Sequence, residues 1–367
     1  MNSLKEGGTA MPAIALPDHD RSHNKVNNLK PETTKQTVLG LRVAPMDEVR
    51  VGFIGLGERG QKAVRRISKM AHARVSALCD TNEERMRELS KLLDFQTPTL
   101  IKNYEEVCQL PDVDLIYICT DWASHTPIAL TAMEHGKHVA IEVPAAATID
   151  ECWALVETAE RTQRHCTMLE NCCYDSYHLA TLAAARRGRM GTIVHVEGGY
   201  IHPMDGRWTP WRTEANQKFR GDLYPTHGMG PACQLLGIHR TDAIETLVSM
   251  DTNAFMRSDF RNGDHTTTLM RTRLGKTILL QHNVVDPHEY TRRYHVVGTR
   301  QSVESSDGTP HSLMSQRMDR RLVECLHRGM PLDIDVYDVA EWCAVSELSR
   351  LSIENGSKPI AFPDFLR

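Results

Sequence analysis

Three glycines, Gly55, Gly57 and Gly60, form a G-x-G-x-x-G run directly after the apolar stretch Val49–Ile54. In that setting the first glycine permits a tight turn, the second lets the backbone approach a pyrophosphate, and the third lets helix and strand pack closely. The phosphates then sit at a helix N-terminus, where free N–H groups and the helix dipole favour anions. Asp80 follows Gly60 by twenty residues. A carboxylate there accepts hydrogen bonds from the ribose 2′- and 3′-hydroxyls and repels a 2′-phosphate, which favours NAD over NADP. The bland alternative is an unrelated glycine turn with a helix-capping aspartate. Ten cysteines lie at positions 79, 108, 119, 152, 166, 172, 173, 233, 325 and 343. No two form a C-x-x-C pair, and several sit inside apolar runs, where cysteine behaves as a small buried hydrophobe. A reducing compartment is the simpler reading. Cys166, Cys172, Cys173 and His178 match no zinc spacing, so no metal is expected.

The elements that must position these groups alternate. Strands are expected at Val49–Gly55, Ala73–Cys79, Val113–Cys119, Lys137–Glu142 and Cys166–Leu169. Helices are expected from the glycine run to about Met70, over Asn82–Leu93 with Asn82 as cap, from about Ser124 to His135, and over Ile149–Arg164. Strand–helix alternation at this spacing means parallel βαβ units. After Asn171 the pattern changes to longer alternating segments, Thr192–Tyr200, Ala243–Ser249, Thr266–Thr272, Thr277–Asn283 and Arg293–Gly298. These read as an antiparallel sheet with one face covered. A last amphipathic helix is expected at about 336–353. The fold class is therefore α/β: an extended arm over 1–46, a Rossmann dinucleotide-binding domain over 47–170, and a substrate-binding α+β domain over 171–367 with an open, largely antiparallel sheet.

Composition narrows the function classes. The 367 residues carry 43 Lys+Arg against 47 Asp+Glu, a formal net charge of -4. The basic pairs Arg65-Arg66, Arg186-Arg187 and Arg292-Arg293 are scattered, so no basic stripe for nucleic acid is expected. No apolar run approaches the ~18–20 residues of a membrane helix. Ala10–Leu16 is short and broken by Pro12, a poor signal core. Cytoplasmic residence is expected, the alternative being export with the signal already removed.

Two further stretches carry a resemblance. His125, Ala132–Val139 and Glu142-Val143-Pro144 resemble the later strand–helix units of the Gfo/Idh/MocA oxidoreductase superfamily. Most dehydrogenases of that group read Glu-Lys-Pro, and the lysine helps move the proton of the oxidised hydroxyl. Val143 stands in its place, which argues against a simple alcohol dehydrogenase. Glu142–Ala146, Leu169–Asp175, Glu197–His202, Trp211-Arg212 and Leu223–Gly228 resemble glycoside hydrolase family 109, NAD-dependent glycosidases typified by α-N-acetylgalactosaminidase. The resemblance spans about Asp47 to Gly298. It implies NAD contacts at Gly55, Gly57, Arg59, Gly60, Asp80, Trp122, Ala123, Ser124, His125, Glu142, Val143, Asn171 and Tyr224. It implies sugar contacts at Tyr200, Arg212, Tyr224, Pro225, Thr226, His227 and Tyr290, and a catalytic place for Tyr174. The segments Ser258–Asp264 and Met204–Pro210 depart from the family pattern.

The NAD route makes a glycosidic bond labile by oxidation at C3, which acidifies C2 and lets the C1 substituent leave. Water then adds and C3 is reduced again. This needs an acid/base at O3, one at C2, and donors around the carbonyl, without a metal. His227 titrates near neutrality and suits proton transfer. Tyr174 and Tyr224 suit it if nearby positive charge lowers their pKa. The expected parts are His227 at O3 and Tyr174 at C2, exchangeable with each other, with Tyr224 and Tyr290 orienting the sugar and Arg212 on an acetamido group or hydroxyl. Trp122 is either a platform under the nicotinamide ribose or core packing. His202, His239, His282 and His288 read as structural. The rival readings are an NAD-dependent sugar or polyol dehydrogenase and an NAD-bound regulatory protein without turnover. The expected partner is a small molecule or glycan, and a homodimer through the second sheet would cover its open face.

Overall fold

A computed structural model describes residues 36–93, 96–204, 207–287, 289–305 and 308–366. Most of the expected arm, and His288, lie outside these. The first sheet has six parallel strands in the order β3-β2-β1-β4-β5-β6: β1 (Val49–Ile54), β2 (Ala73–Cys79), β3 (Thr99–Ile101), β4 (Leu115–Ile118), β5 (His138–Ile141) and β6 (Cys166–Met168). The central strands are buried on both faces, as expected for a sheet covered twice by helices. The helices are α1 (Glu58–Ile67), α2 (Glu83–Ser90), α3 (Tyr104–Gln109), α4 (Trp122–Glu134) and α5 (Ile149–Thr162). Asn82 caps α2 by accepting the Arg85 N–H, and Thr148 with Glu151 closes a capping box on α5. Strand order reverses between β1 and β4, which opens a crevice at their carboxyl ends. The glycine run follows β1, Asp80 follows β2, Trp122–His125 follow β4, Glu142 follows β5 and Asn171 follows β6. One edge thus collects every expected cofactor residue of this half.

The second sheet has seven strands in the order β12-β11-β7-β10-β9-β8-β13. They are β7 (Ile193–Ile201), β8 (Ile244–Asp251), β9 (Thr266–Thr272), β10 (Thr277–Asn283), β11 (Tyr294–Gly298), β12 (Ser302–Ser305) and β13 (Ile360–Ala361). All pairs are antiparallel except β7 with β10. The expected open, largely antiparallel sheet is observed, with short strands added at both edges. Helices α6 (Ser176–Arg186), α7 (Pro210–Lys218), α8 (Thr226–Leu236), α9 (His311–His327) and α10 (Val336–Glu354) complete the chain.

The expectation omits β3, α3, α6 to α9, β12 and β13. The short edge strands carry too few residues to show a period. Helix α8 contains Gly228, Gly230 and Pro231, which local propensity alone would keep out of a helix. Helix α9 places Met314, Met318, Leu322 and Leu326 at four-residue spacing, a helical signal absent from the expectation. Helix α10 is not amphipathic in its surroundings. It is buried on nearly every side, Trp342 and Tyr337 completely, because α5 covers one face and β8 another.

Helices α9 and α10 return to the first half of the molecule. The Asp319 carboxylate of α9 accepts from Arg66 of α1 at 2.7 Å and from the Tyr117 hydroxyl of β4 at 2.9 Å. The segment before β1 packs there too. Val38 is buried, its N–H reaches the Tyr337 hydroxyl at 3.2 Å, and Met46 pairs with His327.

Candidate active site

The glycine run forms a cradle whose three positions differ. Gly55 has φ +88, and a Cβ on it would meet the Cys119 backbone at 2.7 Å. A Cβ on Gly60 would meet the Gly55 carbonyl at 2.0 Å. Above Gly57 nothing lies within 4 Å, and no side chain caps α1. The crowded pair fixes the turn, and the open position leaves free N–H groups and space for a pyrophosphate. The Asp80 carboxylate accepts the Leu56 N–H at 2.7 Å and the Asn82 N–H at 2.8 Å, with Arg85 at 3.2 Å. It thus stands at the end of β2, tied to the cradle through the Leu56 N–H. These features fit a dinucleotide.

The other expected cofactor residues split in role. Trp122, Ala123, Ser124 and His125 form the first turn of α4, capped by Asp121. His125 is buried, with Nδ1 2.8 Å from the Pro144 carbonyl and Nε2 3.1 Å from the Thr120 carbonyl. It ties the loops after β4 and β5 together and reaches the cofactor edge only through them. Val143 is buried and offers no proton. Asn171 is held by α9, its Nδ2 lying 2.8 Å from His311 Nδ1 and 3.0 Å from Ser315 Oγ. Arg59 lies within electrostatic reach of Glu142, Tyr224 and Tyr200 across the cleft.

His227, in the first turn of α8, meets a residue the expectation did not assign. Its Nδ1 donates to Glu170 Oε1 and Oε2 at 2.8 and 2.9 Å. Glu170 has no exposed surface. Desolvation opposes charge on both groups. Even so, the imidazole is held charged well above its ordinary range by Cys172 and Glu170, and the Glu170 carboxyl is held low by His227. Both shifts run toward the ionised pair, and Nε2 is the ring nitrogen turned away from Glu170. Close approach of α8 to β7 makes this contact. Gly228 packs on Gly198, where a Cβ on either glycine would come within 3.0 Å of the other's backbone. Glu170 stands next to Asn171 at the end of a buried strand, and that position was the signal available for it.

An aromatic wall joins this pair to the cofactor edge. Tyr200 lies with ring centroids 4.7 Å from Tyr224 and 5.2 Å from His227, and Tyr224 lies 6.0 Å from Trp122. Trp122 also packs on Trp211 at 4.6 Å, and Arg212 stacks over Trp211 at 4.7 Å. Arg212, Tyr200, Tyr224 and Trp122 border one small cavity. Pro225 and Thr226 turn the chain into α8, and Thr226 is wholly buried beneath the site. His202 Nε2 lies 2.6 Å from the Tyr200 hydroxyl, which places it inside this wall.

On the other side of His227 a cavity of about 370 Å³ opens, lined among others by Cys172, Tyr290, Arg292 and His311. That volume suits a small molecule. Tyr290 is half-exposed at its mouth. Neither Arg292 nor His311 was expected here.

Tyr174 requires a correction. Its hydroxyl donates to Asp333 at 3.2 Å, and Arg321 braces Asp333. It borders a separate small cavity with Met318 and Leu322. Burial and Asp333 push its pKa well above the ordinary phenol value. The turn Asn171–Tyr174 directs Asn171 and Cys172 to the cleft and sends Tyr174 the other way, so the structure does not bring it to His227.

A Rossmann half with a free phosphate cradle, covered by a sheet domain that supplies an aromatic and titratable wall, defines an NAD-binding oxidoreductase fold. Residues 49–170 match the model of the oxidoreductase family with NAD-binding Rossmann fold. Residues 204–309 and 300–367 match the glycosyl hydrolase 109 C-terminal domain. A glycosyl hydrolase family 109 protein of Phocaeicola vulgatus is 42% identical over 91% of this chain and 87% of its own. One of Bacteroides thetaiotaomicron is 42% identical over 94% and 91%. The chain belongs to glycosyl hydrolase family 109. Among solved structures, scyllo-inositol dehydrogenase from Lactobacillus casei with bound NAD(H) and scyllo-inositol superposes with a TM-score of 0.75 at 15% identity, covering 86% of this chain and 99% of that one. An inositol dehydrogenase described from Sinorhizobium meliloti gives 0.73 at 17%, covering 86% and 100%. At these identities the likeness is one of fold.

Proposed function

We propose that this chain hydrolyses glycosides ending in α-linked N-acetylgalactosamine, or a close relative, with tightly bound NAD in a redox-neutral cycle. The observation that carries the reading is the buried Glu170–His227 pair, whose imidazole lines the 370 Å³ cavity. Bound NAD would supply a reversible hydride acceptor for C3 of the sugar. Glu170 holds the proton of the neutral ring on Nδ1, so Nε2 takes the O3 proton as the hydride leaves C3, the Glu170 charge stabilises the imidazolium that results, and Nε2 returns the proton when C3 is reduced again. With Val143 in the usual lysine place, no lysine competes for that role. The C2 proton falls to Tyr224. Burial holds its pKa well above the ordinary phenol value, and the neighbouring positive charges of His227 and Arg59 offset only part of that rise. Tyr200 and Tyr290 orient the ring. Arg212 takes the acetamido group, so Arg212→Ala is expected to raise KM for the N-acetyl sugar more than it lowers kcat. The ten unpaired cysteines support residence in a reducing compartment.

The test incubates the purified protein with p-nitrophenyl glycosides, led by the α-N-acetylgalactosaminide, with and without added NAD. Nitrophenol release without net NADH, and solvent deuterium at C2, is the expected result. NADH without nitrophenol would sink the glycosidase reading in favour of a dehydrogenase. Silence in both channels with NAD bound would favour a regulatory protein.

A further inference from the structure

We propose that Glu170, Cys172 and His227 form a binding site for one thiophilic divalent cation, Zn²⁺ foremost, which blocks the cleft when bound. One ligand atom from each residue lies within 4.8 Å of the other two, and all three residues are buried. The chain brings Glu170 and Cys172 from the turn after β6 and His227 from α8. A carboxylate oxygen, a thiolate sulfur and an imidazole nitrogen suit zinc or cobalt; magnesium and calcium prefer oxygen alone. The four residues whose spacing matched no zinc pattern share only Cys172 with this set.

Two arguments separate this cluster from an ordinary polar network. First, Cys172 and His227 also line the 370 Å³ cavity, so a tetrahedral ion would keep its fourth position toward that space. Three protein ligands with one exchangeable position is the open form of a zinc site. Second, charge balances. A divalent ion with one carboxylate and one thiolate is neutral, and the proton between His227 and Glu170 leaves together with the thiol proton.

The molecule supplies its own contrast. His239, Asp335 and Asp338 meet the same distance condition, but Arg240 already lies 2.8 Å from Asp338 and 3.1 Å from Asp335. Those carboxylates have their cation. In the cleft Arg292 pairs with Asp175 at 3.5 Å and makes a long hydrogen bond of 4.0 Å to the Cys172 sulfur, a weaker contact than the arginine pairs on Asp335 and Asp338.

A bound ion replaces the proton between His227 Nδ1 and Glu170 and stands in the cleft beside the ring that the proposed hydrolysis uses, so the inhibitory part of the proposal rests on that reading. The test strips the full-length NAD-bound protein with a chelator, then titrates it with Zn²⁺ and separately with Co²⁺. One equivalent of Zn²⁺ is expected, and a thiolate-to-cobalt charge-transfer band. Cys172→Ser should abolish the band and weaken Zn²⁺ binding at least ~10-fold. Cys173→Ser, which alters a buried neighbour outside the triad, should keep both and so controls for folding. Hydrolysis should fall as Zn²⁺ binds and return with chelator. Absence of the cobalt band, or a band that survives Cys172→Ser, overturns the site. Zn²⁺ bound with undiminished turnover overturns the blocking role. The cobalt band reads the site even if no glycoside is hydrolysed, so failure of the site and failure of the functional reading are distinct results.

Discussion

His227 and Glu170 are chemically useful because each is costly to bury alone. A buried carboxylate or imidazolium without a partner loses several kcal/mol of solvation, and each supplies the other's counter-charge. The Glu170 charge helps hold the His227 pKa up, so removing it must bring that pKa down. Glu170→Gln is therefore expected to move the His227 limb of the kcat/KM–pH profile toward lower pH, with roughly a 10²-fold loss of rate. A rate loss with an unmoved limb would show that Glu170 is only structural. Tyr174 and His227 make a second comparison. Because the Tyr174 hydroxyl is on Asp333, Tyr174→Phe should stay within about tenfold of the parent, against ~10²–10⁴-fold for His227→Ala. Steady-state kinetics on the nitrophenyl substrate decide it, and equal losses would return Tyr174 to the cleft.

Helix α8 is the element on which the site turns. Its glycines weaken it as an isolated helix, but they let it lie close to β7 and to the turn after β6. A Cβ on Gly228 would meet Leu280 at 2.7 Å and the Gly198 backbone at 3.0 Å. Gly228→Ala should thus push α8 off the sheet, costing about 1–3 kcal/mol as an overpacked core does, and should lower kcat by moving His227 from Glu170. Thermal melting and kinetics test both parts. A variant with unchanged Tm and kcat would mean that the contact has slack. Local propensity made α8 illegible, since the force that makes it helical comes from other segments. Strands β9 and β10 were legible to the residue because alternation along each reports its own buried face.

At the scale of the whole molecule, helices join the two sheets: α9 packs on β1, and α10 packs on both β6 and β8. A ligand that binds only the folded cradle must stabilise it by mass action, about 2.7 kcal/mol at a hundredfold excess over Kd. NAD is expected to raise Tm in proportion, with NADP raising it far less, since a carboxylate such as Asp80 after the second strand would repel a 2′-phosphate. Asp80→Ala should narrow the difference between the two. Equal shifts from NAD and NADP in the parent would remove the assigned role of Asp80.

The glycine cradle, Asp80 and the parallel βαβ order were readable because their physics is local: a turn, a free helix end and a carboxylate at a strand end lie within a few dozen residues. Sequence also supplied the motif in which Glu170, Asn171 and Cys172 stand together. It did not supply their directions. The turn after β6 sends neighbouring side chains to opposite sides, which placed Tyr174 on Asp333 and left Cys172 in the cleft. Glu170 and His227 are 57 positions apart, and His311 lies 140 from Asn171. Pairings of that span depend on how α8 and α9 pack against strands distant in the chain. Packing is a property of the assembled core, so it was decided only in the tertiary structure.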